Sequence, residues 1–237
     1  MSETPDTFDT IPTLVPLFPL PDHVLLPASP TPYRVFEPRY RQMVADLLER
    51  PADERWLVMP RLMPLEDAET SDSDGDSGLT FYPVTSLAKM TLATPLSDGD
   101  FLIVVEGVAP CMVREVDAPF TGYRVGSVVA LADRPRSAGT PETSTNAVIQ
   151  ALMSLLLVMG PSAADIPVAY GGSPSDTLII YRIAAAVVAD ADARQRILDE
   201  RCPATRRAMV LEALIELLEV ASRHGDVQAL GTPQQER

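Results

Sequence analysis

The residue that most resembles a catalytic nucleophile is Ser162, which lies in the run Gly160-Pro-Ser-Ala163. A serine hydroxyl attacks a carbonyl group only when a neighbouring base accepts its proton. The chain's only lysine, Lys89, lies far upstream, and its only histidines are His23 and His224, neither of which has a nucleophile motif beside it. We therefore interpret the run as a turn after a helix and expect no catalytic residue. A cryptic serine hydrolase is the alternative that this serine leaves open.

A second run with chemical potential is Asp72-Ser-Asp-Gly-Asp-Ser-Gly78, which has the composition of a calcium-binding loop. An EF-hand loop requires glycine at its sixth position and a bidentate glutamate at its twelfth. Counted from Asp72, those positions hold Ser77 and Pro83. The sequence therefore predicts no dedicated metal site here, and residues 66–78 are interpreted as an acidic surface loop. The chain also has no nucleotide-binding glycine motif, so we expect no cofactor.

Composition limits the class of protein further. The chain has 237 residues, 46% of them hydrophobic, and its net charge is −14. Nucleic-acid binding rests on clustered basic residues, so this charge argues against a nucleic-acid partner. The two cysteines permit no disulfide framework and are typical of a reducing compartment. The polar N-terminus and the lack of a long apolar run predict a cytoplasmic protein that does not span a membrane.

Proline-interrupted apolar segments lie between residues 14 and 36 and predict short, strongly curved strands at Leu14–Phe18, Val24–Leu26 and Pro32–Phe36. A helix is then predicted to begin at Pro38, because proline is favoured at the first helical position. Its apolar residues recur at helical spacing along one stripe, formed by Tyr40, Met43, Val44, Leu47 and Leu48.

Further strands are predicted by apolar segments at Trp56–Pro60, Leu79–Met90, Asp100–Glu106, Pro110–Val116 and Tyr123–Leu131. Ser97–Asp100 has the composition of a turn, and Gly107 suits a bend or a bulge.

After about residue 134 the sequence has the composition and apolar spacing that are typical of helices. Helices are predicted at 145–159, 176–190, 193–200 and 204–223, with Asp192 and Gln195 as a capping box. The predicted organisation is a disordered tail at 1–13, a β-rich domain at 14–133, a linker at 134–144, a helical domain at 145–224 and a second disordered tail at 225–237.

Several segments together resemble a known family. They are Leu17-Phe-Pro-Leu20, Val24-Leu-Leu-Pro27, Phe36-Glu-Pro-Arg-Tyr40, Val104-Val-Glu-Gly107, Tyr123-Arg-Val125 and the stretch from Ile197 to Arg206. These segments resemble the N-terminal substrate-binding domain of Lon proteases, which also occurs as stand-alone bacterial proteins. The chain departs from the family pattern at Val84-Thr-Ser86, where a glycine is usual, and at Cys202, where an aspartate is typical.

The resemblance implies an α+β fold, in which a PUA-like curved β-barrel or sheet domain with one helix is followed by an α-helical bundle. It also implies a non-catalytic module that binds unfolded or misfolded polypeptides. Such a module would act as an adaptor in protein quality control, with a separate ATPase or protease as a candidate partner. RNA binding through the PUA-like fold is a further alternative, with Arg34, Arg39 and Arg41 as its basic patch.

The resemblance also singles out site residues. Its motif residues, which we interpret as structural, are Phe36, Glu37, Pro38, Arg39, Tyr40, Glu106 and Gly107. Phe36 and Tyr40 are expected in the core, and Glu37 and Arg39 are expected to form an ion pair. A peptide-binding surface should be an exposed apolar patch, and the candidates are Leu17, Phe18, Leu20, Leu25 and Leu26.

Overall fold

A computed structural model describes residues 11–64, 80–117, 122–137, 139, 142–160 and 176–230, with side chains described as far as residue 223. Ser162 and the acidic run at 66–78 lie outside the described residues. The chain forms two compact units, Met1–Ala132 and Asp133–Arg237, called unit 1 and unit 2 here.

Unit 1 is built on a six-stranded sheet whose strand pairs are antiparallel. The strands are β1 (Val15–Pro16), β2 (Pro30–Val35), β3 (Trp56–Met59), β4 (Val84–Pro95), β5 (Phe101–Val116) and β6 (Val125–Ala130). Their order is β1-β6-β5-β4-β3, and β2 also pairs with β5. The long strand β5 has β4 along one edge, and β2 followed by β6 along the other.

Several strand boundaries differ from the prediction, and the largest differences are these. The segments predicted at Asp100–Glu106 and Pro110–Val116 form the single strand β5, and β4 continues past Met90 to Pro95. Val24–Leu26 lies outside every strand. A register shift at Leu87/Ala88 places a bulge beside Gly107, which agrees with the bulge predicted there.

The two edges of the sheet are joined by the segment that follows β1. The Leu17 N–H donates to the Arg124 carbonyl at 2.8 Å, beside β6. The Phe18 N–H donates to the Val58 carbonyl in β3, also at 2.8 Å. The sheet therefore curves back on itself, and the prolines of this segment stand where pairing switches from one strand to the other.

Helix α1 (Pro38–Leu48) covers one side of this sheet, and a short 3₁₀ turn follows at Ala52–Glu54. Its predicted start at Pro38 is correct, and Tyr40, Met43, Val44 and Leu47 of the predicted stripe are buried. They pack with strand residues in a cluster that includes Leu57, Met59, Ala88, Met90, Ile103 and Val105. A second core contains Val15, Leu17, Trp56, Val58, Leu87 and Cys111.

Unit 2 is helical in its described part. Its helices are α2 (Thr145–Met159), α3 (Asp176–Val187), α4 (Ala191–Asp199) and α5 (Pro203–Leu230). The predicted capping box is wrong, because the carboxylate of Asp190 caps α4 by accepting from the Ala193 N–H at 2.7 Å. Helix α5 extends to Leu230, so its described range overlaps the first residues of the predicted C-terminal tail.

The side chain of Arg206 organises the start of α5. It is buried, forms a 2.7 Å ion pair with Asp133 and donates to the Glu200 carbonyl. Its guanidinium carbon also lies 4.4 Å from the centre of the Tyr181 ring on α3. One charged side chain therefore ties α5 to Tyr181 on α3, to Asp133 and to the backbone between α4 and α5.

Candidate functional site

The junction between β2 and α1 carries most of the motif residues. Pro38 occupies the start of α1, after an extended Glu37. The expected ion pair is present, with Arg39 donating to the Glu37 carboxylate at 2.6 Å. Tyr40 is buried against Phe18, with the two ring centres 4.9 Å apart, and burial raises the pKa of its hydroxyl. These side-chain contacts fix the angle between the end of β2 and the start of α1.

Phe36 is the exception in this motif. The expectation that it belongs to the core is wrong, because 63% of its surface is exposed. The neighbouring positions Val35 and Tyr40 are the ones that face the core. Successive side chains of an extended segment point to opposite sides, so Phe36 falls on the outer side with Arg34.

Gly107 has a packing role that only glycine can fill. A Cβ atom placed there would lie 2.3 Å from the Leu26 carbonyl oxygen. The buried segment that contains Leu26 crosses β5 at this point, and the Ala28 N–H donates to the Gly107 carbonyl at 2.7 Å. The Ser86 hydroxyl holds the same segment by donating to the Leu25 carbonyl. Gly107 is therefore needed for close backbone approach, and Glu106 lies beside it on the opposite side of the strand.

The residues predicted as the peptide-binding surface are placed differently. Four of them are buried and Leu20 is half-buried, the buried ones being Leu17, Phe18, Leu25 and Leu26. The prediction that these side chains form an exposed patch is therefore corrected. Leu17 packs in the second core, whereas Phe18 and Leu25 pack in the cluster beside α1.

An exposed apolar surface exists elsewhere on the same sheet. Cross-strand pairing places Pro32, Val104 and Leu92 in one row across β2, β5 and β4, with Leu102 in the next row. Leu92 is 52% exposed and Leu102 is 41% exposed. We call these four residues the open sheet face. Phe36 follows β2 on the same side.

A bulge in β4 creates this face. Met90 pairs with Val105 and Leu92 pairs with Val104, so that Thr91 is the extra residue. The bulge gives Leu92 the outward side, whereas regular alternation from Met90 would turn it towards the core. The Thr91 hydroxyl donates to the Val104 carbonyl at 3.2 Å and holds the bulge in place.

The basic side chains next to the open sheet face already have partners. Arg34 lies 2.6 Å from the Asp98 carboxylate and 2.9 Å from that of Asp100, and these bonds raise its pKa. The ammonium group of Lys89 lies 4.1 Å from the centre of the Trp56 ring.

The basic patch considered for RNA is paired as well. Arg34 has these two carboxylates, Arg39 has Glu37, and Arg41 approaches Asp100 at 3.9 Å. A phosphate group would have to compete with a carboxylate at each arginine.

The two cysteines have different environments. Cys111 is buried in the second core, and burial raises the pKa of its thiol to about 12. Cys202 is half-buried before α5, where hydrogen bonds from Thr205 lower the pKa of its thiol. Both thiols are free.

Metal-binding clusters and membrane-spanning helices are both absent from the part of the chain that the structure describes. Within it, no three histidine, cysteine, aspartate or glutamate side chains come together as a metal site. No helix in those ranges has the length and apolar character needed to cross a bilayer.

Comparison with known proteins gives consistent results. The family model of the ATP-dependent protease La (LON) substrate-binding domain matches residues 14–216. Among solved structures, the chain is similar to a Lon N-terminal domain protein from Xanthomonas campestris, at 20% identity and a TM-score of 0.54, covering 84% of this chain and 98% of that one. It is also similar to the N-terminal domain of a Mycobacterium avium complex Lon protease, at 14% identity and a TM-score of 0.58, covering 87% and 98%. No match was found among curated proteins.

Proposed function

The chain belongs to the ATP-dependent protease La (LON) substrate-binding domain family, and from this membership we propose that it binds extended, unfolded segments of other polypeptides without cleaving them. The membership confirms the resemblance found in the sequence. The matched model is that of the substrate-binding domain, so binding is the activity that this chain inherits. The open sheet face is the contact surface we propose in unit 1.

The observation that carries this proposal is a set of exposed apolar side chains held on a paired sheet. The exposed side chains of Leu92 and Leu102 and the half-buried side chain of Val104 stand on two hydrogen-bonded strands, so little backbone conformational entropy is lost when a ligand covers them. An unfolded segment exposes apolar side chains that a folded protein buries. A few such contacts give micromolar affinity, which suits a module that must release its substrates.

Three finer features are proposed with this function. The curvature of the sheet through Leu17 and Phe18 supports a PUA-like architecture for unit 1. The packing of α2 and α3 with α5 supports a helical bundle in unit 2. We also propose an adaptor role in cytoplasmic protein quality control, and the family's description as part of an ATP-dependent protease supports a separate ATPase or protease as partner.

Fluorescence anisotropy with a labelled protein that is kept unfolded by reduction and carboxymethylation tests the proposal. The double variant Leu92→Ser/Leu102→Ser removes the centre of the open sheet face. Each serine replaces apolar area that a ligand would cover, so together they should weaken binding by about tenfold.

The matched control is Val129→Ser, which changes an apolar side chain in the same unit that is 67% exposed. It should change the affinity by less than about twofold, as expected of a residue outside the contact. An equal loss in the control and the double variant would show that the open sheet face is not the site. The absence of any binding by the unaltered chain would overturn the proposed function itself.

A further inference from the structure

We infer that a bound polypeptide adds to the sheet of unit 1 as a further antiparallel strand, paired through its backbone with the edge of β4 at Thr91–Pro95. This inference rests on the proposed function and specifies how the ligand is held beside the open sheet face. It is carried by the hydrogen bonds that fix the direction of each backbone group along this edge.

Strand β3 pairs with only part of β4, as far as Lys89. The last hydrogen bond on this side is donated by the Met90 N–H to the Arg55 carbonyl at 2.9 Å. Beyond it, and within the described residues, the backbone of Thr91–Pro95 is hydrogen-bonded to β5 alone. We call this stretch the free β4 edge. Its residues are exposed apart from the half-buried Ala93.

A hydrogen bond at the end of β4 shows which backbone groups of the free β4 edge point away from β5. The Leu96 N–H donates to the Asp100 carbonyl at 2.8 Å, so Leu96 faces the chain that begins β5. Backbone groups alternate in direction along a strand. Thr94 therefore faces β5 in the same way, whereas the N–H and carbonyl groups of Ala93 and Pro95 lie on the outward side.

The bonds of β5 give the same directions independently. The Gly107 carbonyl accepts from the Ala28 N–H on the side of β5 that β2 occupies. Alternation from Gly107 then points the backbone groups of Val104 and Leu102 towards β4. Their partners on β4 are the two residues that flank Ala93. Ala93 itself is therefore turned away from β5.

The free β4 edge thus offers three hydrogen-bonding groups to an added strand. They are the N–H and the carbonyl of Ala93 and the carbonyl of Pro95, whose nitrogen carries no hydrogen. An unfolded polypeptide has an N–H at every residue other than proline, so it can bond all three groups. A second copy of this edge would bring one donor for these two carbonyls. The occupant that we propose is therefore an extended polypeptide.

The other open edge beside the face is less suitable for an added strand. On β2, Pro30 and Pro32 lie opposite Glu106 and Val104, whose backbone groups point towards β4. These two prolines therefore occupy outward positions of β2 and provide no N–H there. Prolines and charged side chains commonly protect the edges of natural sheets. Thr91–Thr94 contains neither, which favours the free β4 edge.

Pairing in this register places ligand side chains on the open sheet face. The ligand residue opposite Leu92 would extend the row of Pro32, Val104 and Leu92, with its Cβ about 5 Å from that of Leu92. The ligand residue opposite Ala93 points to the other side, where Ala93 packs against the cluster beside α1. The site therefore selects extended segments with an apolar residue opposite Leu92 and without proline at the two positions that donate to the edge.

Peptides that each carry one N-methyl group test this pairing. The parent peptide is the shortest segment of the carboxymethylated protein that retains binding, and dissociation constants are measured by anisotropy. Methylation at the two donating positions, which are two residues apart, should weaken binding by about tenfold each, because each loses a hydrogen bond and leaves a carbonyl unpaired. Methylation of the residue between them should change the affinity by less than about twofold, because its N–H points away from β4.

The variant Ala93→Pro removes the outward N–H without removing a hydrogen bond to β5. It should weaken binding of the parent peptide by about fivefold. The matched control is Ala130→Pro at the end of β6, where the next residue, Leu131, donates to the Pro110 carbonyl at 2.8 Å. The Ala130 N–H therefore also points away from β5, and its loss should change the affinity by less than about twofold.

Amide hydrogen exchange in the unaltered chain gives a readout that needs no substitution. Saturation with the parent peptide should slow exchange of the Ala93 N–H by about tenfold or more, because this group becomes hydrogen-bonded. The Ala130 N–H should exchange at the same rate with and without peptide.

The outcomes separate this inference from the proposed function. Affinities that are insensitive to N-methylation at every position would overturn strand addition while leaving polypeptide binding intact. An equal loss in Ala93→Pro and Ala130→Pro, or an unprotected Ala93 amide in the saturated complex, would also overturn it. A peptide-free dimer that Ala93→Pro dissociates would assign the edge to a second copy instead. Failure of the unfolded protein to bind would refute the proposed function itself. Thermal melting confirms that each variant is folded.

Discussion

Replacement of Gly107 by alanine is the sharpest test of whether the motif glycine serves packing. The added Cβ atom would lie 2.3 Å from the Leu26 carbonyl oxygen, 2.9 Å from its carbon and 3.1 Å from the Pro27 Cα. All three atoms belong to backbone, which cannot rotate away as a side chain would. Ordinary contact begins at 3.4 Å, so the crossing segment must move by about 1 Å.

That movement has a cost that can be estimated. Overpacking of a well-filled core costs about 1–3 kcal/mol. The segment would also lose the hydrogen bond from the Ala28 N–H to the Gly107 carbonyl and strain the one from Ser86 to Leu25, each worth about 1 kcal/mol. We therefore expect Gly107→Ala to lower the free energy of unfolding of unit 1 by about 3 kcal/mol.

Urea unfolding monitored by tryptophan fluorescence measures this change. Trp56 is the only tryptophan and is fully buried in unit 1, so its signal reports on that unit. The control is Gly122→Ala, where φ is +68° and no atom lies within 4 Å of the added Cβ, so that only the left-handed backbone is strained, at about 1 kcal/mol. A Gly107→Ala loss no larger than that of the control would refute the packing explanation and leave ligand contact as the reason for the motif.

Two other perturbations test the account of the cores. Arg206→Met should destabilise unit 2 by about 3 kcal/mol, because it removes the buried half of the ion pair with Asp133 and both hydrogen bonds to the Glu200 carbonyl. Loss of helical circular dichroism in urea measures this change, and an unchanged midpoint would contradict it. Burial, together with the hydrogen bond to Asp46, raises the pKa of Tyr123 from 10.0 to about 12, so the folded state favours its neutral form. This contribution is complete below pH 10 and is lost as the pH rises towards 12. The variant Tyr123→Phe should lose less stability than the unaltered chain as the pH rises over this range, measured by urea unfolding with Trp56 fluorescence. An identical loss in both proteins would contradict the assignment of this pH dependence to Tyr123.

The helices could be predicted from the sequence because a helix is determined by residues within a few positions of one another. Helix α1 begins at Pro38 as predicted, and α2 spans the predicted 145–159. The boundaries of β4 and β5 depend instead on which strands lie opposite each other. Two apolar segments on either side of Gly107 look the same whether they form two strands or one strand with a bulge, and only the pairing with β4 distinguishes these cases.

The same physical reason explains why the candidate surface was misplaced. The apolar residues at Leu17–Phe18 and Val24–Leu26 are buried, because the segment after β1 bonds to both edges of the sheet and Leu25 and Leu26 pack beneath β4 and β5. The open sheet face has no comparable run, because it takes one residue from β2, one from β4 and two from β5. Leu92 joins it only through the bulge at Thr91, which reverses the inward and outward positions of β4. A binding surface that is assembled across strands in this way becomes visible only when the register of the sheet is known, whereas a buried strand is visible in its own sequence.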